Sequence, residues 1–127
     1  MKYLLDTHTV LWCVGNSQRL SPKTKEIIAN RDKNIFISSV SLWETAIKVN
    51  LGKLELNSTF DEFLDKVRSG EFEILQIKDE YLKRLAALPS IHKDPFDHLL
   101  VTTALVENLT IITADERVRR YNVPWIW

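Results

Sequence analysis

Lys93-Asp94-Pro95-Phe96-Asp97-His98-Leu99-Leu100 is the stretch on which the reading of this chain turns. Pro95 suits the first turn of a helix, because its φ is already helical and no N–H bond is lost there. Asp94 stands at the cap position before it, and Asp97 falls inside the first turn. The run from Leu99 to Val106 is apolar enough for a core helix. An acid at the open end of such a helix is either a cap or one corner of a metal site. Three more acids at comparable junctions bear on the choice.

Working outward, Leu109 to Thr113 follows as a strand, then Ala114-Asp115-Glu116 turns into a short basic helix through Arg120. Val123 to Trp127 adds a strand that Pro124 confines to a sheet edge. Upstream, Tyr81, Leu82, Leu85 and Ala86 mark a helix ending before Pro89, and Phe72 to Ile77 reads as a strand. Thr59 and Glu62 form a capping box opening a helix with Phe60, Phe63, Leu64 and Val67 inward, closed by Gly70. Leu54 and Leu56 belong to a short extended arm. At the N-terminus, Lys2 to Leu5 is a strand buried on both faces, and a helix runs from Thr7 until Gly15-Asn16 stops it. Ser21-Pro22 starts another helix, which fades by Asp32-Lys33-Asn34. Ile35 to Ser38 is a further strand. Ser39 or Ser41 caps the next helix, the S-x-x-E spacing of Ser41 and Glu44 favouring Ser41, with Trp43, Ala46 and Ile47 as the apolar stripe and Gly52 as the end. Strands alternating with helices predict an α/β fold with a mostly parallel, helix-covered sheet of four to five strands.

The chain has 127 residues, the size of one domain, and residues 1–127 are read as one. Its single cysteine, Cys13, excludes an internal disulfide and reads as a small core residue in a reducing compartment. The 17 basic and 17 acidic side chains give none of the basic excess of many nucleic-acid binders. Carboxylates gathered in one site would, however, cancel basic residues elsewhere. Asp6 and His8 interrupt the first apolar run and no small-residue cleavage site follows, so no signal peptide is expected, and no stretch approaches the length of a membrane span. The expected location is cytoplasmic.

In an open parallel sheet, ligands bind beyond the carboxyl ends of the strands. Asp6 directly follows the first strand, Glu44 follows the second by about one helical turn, Asp115 follows the fourth, and Asp97 opens the helix leading into the fourth. If helix starts and strand ends share a rim, these acids converge there. Carboxylates crowded together are tolerated around a cation, and all-oxygen ligation suits Mg²⁺ or Mn²⁺. Such an ion serves phosphoryl chemistry, with Asp115 or Glu44 available to hold an attacking water.

Each acid has a structural alternative. Asp6 suits the cap of the following helix, Glu44 the last position of its capping box, and Asp94 the cap before Pro95, with Asp97 as the matching acid. Thr113 and Glu116 also have box spacing, which leaves Asp115 without a structural task. His8, His92 and His98 lack zinc-ligand spacing. Trp12 and Trp43 read as core or interface residues rather than base-stacking platforms. Arg117, Arg119 and Arg120 form either a solvated face or a phosphate track. Lys48, Lys53 and Lys93 are further candidates to guide a nucleic acid.

Five stretches together resemble the PIN domain, and above all the VapC-type toxins of bacterial toxin–antitoxin pairs. They are Leu4-Leu5-Asp6-Thr7-His8-Thr9, Ser38-Ser39-Val40-Ser41-Leu42-Trp43-Glu44, Ile47-Lys48 with Gly52-Lys53-Leu54, His92-Lys93-Asp94-Pro95-Phe96-Asp97, and Ile112-Thr113-Ala114-Asp115. The resemblance implies a three-layer α/β fold and Mg²⁺- or Mn²⁺-dependent RNA cleavage. It carries metal ligation onto Asp6, Glu44 and Asp97, with Asp115 as the fourth acid and Thr113 in support. It also implies a homodimer, and inhibition by a small DNA-binding antitoxin whose tail occupies the groove near the site. Many relatives have arginine after the acid matching Asp97; this chain has His98, which puts one positive contact in question. Two other function classes remain. A signalling receiver domain would want paired acids after the first strand, and Asp6 stands alone. A PIN-like RNA-binding scaffold without activity would have no need of all four acids.

Overall fold

The computed structural model describes residues 1–30 and 34–127, so the fading of the second helix at Asp32-Lys33 lies outside the described residues. The elements run β1 (Lys2–Leu5), α1 (Thr7–Val14), α2 (Pro22–Ala29), β2 (Asn34–Ser38), α3 (Ser39–Asn50), α4 (Phe60–Ser69), β3 (Glu73–Leu75), α5 (Asp79–Ala86), α6 (Pro95–Glu107), β4 (Thr110–Ile112), α7 (Glu116–Arg119) and β5 (Trp125–Ile126). The five strands form one sheet in the order β3-β2-β1-β4-β5, and every pairing is parallel. β5 is an edge strand, as expected, but it is shorter than the sequence suggests and Pro124 stands just before it.

Side chains alternate across the sheet and so build two cores. Tyr3, Leu5, Ile35, Ile37 and Ile112 face α1, α2 and α4 through Val10, Ile27, Phe63 and Val67. Leu4, Phe36 and Ile111 face α6 and the segment after it through Leu100, Val101, Ala104, Val118 and Tyr121. α6 is buried almost all round from Leu99 to Ala104, which explains its unbroken apolar run. A third cluster of Val40, Tyr81 and Leu99 joins α3, α5 and α6. The result is three layers, helices–sheet–helices.

The sequence overextends the strands at their ends. β3 pairs only with Phe36–Ser38. β4 starts after Leu109, whose N–H still closes α6 on the Ala104 carbonyl oxygen at 2.9 Å, with Asn108 left-handed at φ 57°.

The α3 expectation needs correction. Ser38, not Ser41, is the cap, its hydroxyl accepting the Val40 N–H at 3.1 Å. The helix therefore begins earlier, and Glu44 falls in its second turn. The proposed stripe is wrong as well. Trp43 is 58% exposed, whereas Ser41, Glu44 and Thr45 are buried beside Val40 and Leu42. On the same count, in α5 only Tyr81 is buried and Leu82 is exposed.

The order of strands places the candidate site. β1 lies between β2 and β4, so the connections leaving it and returning beside it run to opposite sides. The crevice beyond the carboxyl ends of β1 and β4 is the switch point where α/β sheets bind ligands.

Candidate active site

Asp6 leaves β1 at this point. Its own N–H donates to the Ile112 carbonyl of β4 at 3.2 Å, and its Oδ1 caps α1 by accepting the Thr9 N–H at 2.8 Å. The Thr113 hydroxyl donates to Oδ2 at 2.5 Å. Asp6 is 4% exposed. Burial pushes its carboxyl above the usual carboxylate range, while the bonds from Thr113 and Thr9 and the charge of His8 pull it down. Thus Asp6 is both a cap and an acid of the crevice.

Glu44 is 2% exposed. Thr7 donates its hydroxyl proton to Glu44 Oε1 at 2.6 Å and lies 3.0 Å from the Ser41 hydroxyl. Lys48, one turn on, pairs with Oε2 at 2.7 Å. Ser41 and Glu44 therefore do not form a capping box. Both turn inward toward the start of α1, which is why polar positions of α3 are buried. Lys48 is engaged with Glu44 rather than presented as a separate cation.

Asp97 stands in the first turn of α6, 8% exposed. Asp94 is the cap as expected, its Oδ1 accepting the N–H groups of Phe96 and Asp97 at 2.9 and 3.3 Å. The Asp97 carboxylate pairs with His92 Nε2 at 3.0 Å. Its pKa is raised to about 6, chiefly by burial; the His92 bond opposes this, and Asp94, Asp115 and Asp6 add to it through their charges. His98 donates from Nε2 to the His92 carbonyl oxygen at 2.5 Å. That gives the residue after Asp97 a structural contact instead of the positive one.

Asp115 corrects another expectation. It, not Thr113, caps α7, its Oδ1 accepting the Arg117 N–H at 2.9 Å. The Thr113 hydroxyl instead accepts the Asp115 N–H at 3.0 Å, so one threonine links Asp6 to Asp115. The Arg117 guanidinium on Asp115, at 3.0 Å, holds that carboxyl below the ordinary range, with burial opposing. Arg119 donates to the Thr113 carbonyl oxygen and lies over Trp125 at 4.2 Å. These contacts occupy two of the three arginines expected as a phosphate track.

Asp6 and Asp115 open on one cleft of about 180 Å³, with His8, Trp12 and Ala114. Asp97 lies within electrostatic reach of both acids. Glu44 is joined to the cluster through Thr7, the residue after Asp6. Among the described residues no group of three or more His, Cys, Asp or Glu side chains stands ready to hold a metal ion. The donor set nevertheless suits one in kind. It is carboxylate oxygen, partly desolvated and mutually repelling, and a hard ion such as Mg²⁺ keeps several waters and needs only one or two carboxylates.

The sequence did not single out Thr7, His92 or Tyr121 as partners of the acids. His92 precedes Asp97 by only five residues, a separation short enough to serve as a signal for the pair. Tyr121 gives no local sign, being 29 residues from His92.

The sequence profile of the PIN domain matches residues 3–124. The chain is 26% identical over 122 residues to Ribonuclease VapC22 of Mycobacterium tuberculosis, covering 95% of this chain and 92% of that one. Among solved structures it is similar to VapBC2 of Rickettsia felis bound to a promoter DNA fragment, with TM-score 0.72, 18% identity and coverage of 99% and 98%. FitAcB of Neisseria gonorrhoeae gives TM-score 0.70 at 15% identity, covering 98% of this chain and 96% of that one.

Proposed function

The chain belongs to the PIN-domain family, and from that premise we propose that it is a Mg²⁺- or Mn²⁺-dependent ribonuclease, the VapC-type toxin of a toxin–antitoxin pair. The observation that carries this reading is the gathering of acids at the switch point. Asp6 and Asp115 open on one cleft, and both act electrostatically on the buried Asp97. The similarity to a curated VapC ribonuclease supports the substrate class.

Asp6, Glu44 and Asp97 would hold the cation, with Asp115 as a fourth acid. When bound, the ion supplies a polarised phosphate oxygen and a water acidic enough to attack. The rest falls to the chain. Thr113 and the Thr9 N–H fix the two Asp6 oxygens, and Thr7 fixes Glu44. Arg117 keeps the Asp115 carboxyl below the ordinary range, so it is ionised at neutral pH and would be available to hold the attacking water. In-line hydrolysis leaves a 5′-phosphate and a 3′-hydroxyl.

The partner reading rests on surface. A groove of about 460 Å³ shares His8 and Trp12 with the acidic cleft and is lined by Leu11, Leu56, Phe63 and Lys66. It suits the tail of an antitoxin reaching the site. Exposed Trp43, Leu51 and Leu82 offer apolar surface to a second copy, giving a homodimer. No helix among the described residues is long and apolar enough to cross a membrane, and we place the protein in the cytoplasm.

The test is incubation of total cellular RNA with purified, antitoxin-free protein and Mg²⁺ or Mn²⁺, beside chelator and Asp6→Asn controls. Discrete fragments with 5′-phosphate ends, absent from both controls, are expected. Cyclic phosphate ends would overturn the mechanism. Binding without turnover in every lane would favour the RNA-binding scaffold.

A further inference from the structure

The acids are explained by the proposed reaction, but a cluster of three rings beside Asp97 is not. His92, His98 and Tyr121 meet edge to face, with His92 centred 5.1 Å from His98 and 5.4 Å from Tyr121. Tyr121 is buried in the core against α6, just beyond α7. Its hydroxyl oxygen accepts the N–H groups of Ile91 and His92, at 3.2 and 3.3 Å. Those two bonds use both lone pairs of a phenolic oxygen. The hydroxyl proton must then go to the remaining neighbour, His92 Nδ1, at 2.8 Å. An imidazole that accepts at Nδ1 carries its proton on Nε2. That proton points at Asp97 Oδ2, 3.0 Å away.

Resting on the nuclease reading for its purpose, we infer that Tyr121 is a positioning residue for Asp97: it locks His92 as the neutral Nε2–H tautomer, and His92 in turn fixes the rotation of the Asp97 carboxylate. With Oδ2 committed to His92, Oδ1 is the oxygen offered to a cation. His98 completes the clamp by bonding the His92 carbonyl oxygen from the second turn of α6. The segment that ends in Tyr121 begins with Asp115, so one stretch of chain supplies an acid on one side of the cleft and orients another. Groups that orient a metal ligand from behind set metal affinity without touching the metal.

The experiment uses full-length protein and two readouts besides cleavage. ¹⁵N NMR of the histidine side chains reports the His92 tautomer, and calorimetry with Mn²⁺ reports affinity. The variants are Tyr121→Phe, which keeps the buried ring, His92→Ala, the double variant, and His92→Gln, whose amide N–H can replace the Nε2 donor. The wild type should show the Nε2–H tautomer. Tyr121→Phe should lose that preference and weaken Mn²⁺ binding about tenfold, with kcat falling more than KM rises. Adding Tyr121→Phe to His92→Ala should change Mn²⁺ affinity no further, whereas a merely structural tyrosine would act in both backgrounds. His92→Gln should recover part of the affinity lost in His92→Ala. Unchanged tautomer and affinity in Tyr121→Phe, or additive losses in the double variant, would overturn the inference. An Nε2–H tautomer lost in Tyr121→Phe, together with a wild type that binds no Mn²⁺, would overturn the nuclease reading while supporting the clamp.

Discussion

Replacing Asp97 by asparagine should make the protein more stable at neutral pH while removing its activity. The Asp97 carboxyl has a pKa of about 6 in the fold, against an ordinary 3.8, mainly because it is buried. An acid with a raised pKa binds more protons folded than unfolded between those two values. Stability therefore falls as pH rises from about 4 to about 6, and the full penalty persists above it. At 1.36 kcal/mol per pH unit the difference amounts to about 3 kcal/mol; allowing for screening at its exposed edge, about 2–3 kcal/mol is expected. Asparagine has the same shape, keeps an oxygen for the His92 proton, and carries no charge to bury. Urea unfolding at pH 7 should thus give Asp97→Asn about 2–3 kcal/mol more stability, on the order of 10 °C in Tm for a domain of this size. The gap should narrow as pH falls from about 6 to about 4 and close below it, where the wild-type acid becomes neutral in both states. Saturating Mg²⁺ should narrow the gap at pH 7, because a ligand that binds only the folded wild type stabilises it by mass action. An Asp97→Asn protein no more stable than wild type at pH 7, or a gap independent of pH, would refute the reasoning.

Three other substitutions separate the tasks of neighbouring groups. Thr113→Val removes the donor to Asp6 and the acceptor for the Asp115 N–H together, and urea unfolding should show a loss of about 2–3 kcal/mol from unsatisfied buried groups; a loss below about 0.5 kcal/mol would mean that water replaces it. Lys48→Met leaves the buried Glu44 without its cation, so unfolding should show a loss of about 1–3 kcal/mol, above the roughly 0.5 kcal/mol of an exposed helix pair. Trp43→Ser, at an exposed position whose ring meets the edge of Phe96, should change unfolding stability by less than about 1 kcal/mol yet shift sedimentation from dimer toward monomer; an unchanged dimer would place the interface elsewhere.

Which parts of the chain were legible follows from how local their causes are. β1, β2 and β4 lie inside the sheet and read as short unbroken apolar runs. The edge strands β3 and β5 are half-exposed, and their ends depend on a single neighbour. The Thr59 cap and the Asp94 cap each rest on contacts within three residues, and both formed as expected. α3 misled because Ser41 and Glu44 have the spacing of a cap and Trp43 the look of a core residue. Their true environment is set by Thr7, 34 and 37 residues away. The buried polar face and the exposed tryptophan are the same fact: α3 turns toward α1 the side that serves the site. Local rules fail where function overrides them.

The choice between cap and site, posed for each acid from sequence alone, turns out to be false for two of them. Asp6 accepts the Thr9 N–H at Oδ1 and still faces the cleft, and Asp115 does the same with the Arg117 N–H. In a parallel sheet the helices after β1 and β4 begin on the rim where the strands end, so a capping acid there is already at the crevice. A carboxylate has two oxygens and about four lone-pair directions, and one bond to a helix N–H fixes its rotation without exhausting it. Capping thus holds one oxygen of each side chain, and Thr113 on Asp6 and the Arg117 guanidinium on Asp115 hold the other. Asp94 shows the other outcome, with Oδ1 accepting both first-turn N–H groups of α6. Asp97 and Glu44, which cap nothing, need orienting groups from elsewhere. They have them in His92, five residues before Asp97, and in Thr7, 37 residues from Glu44.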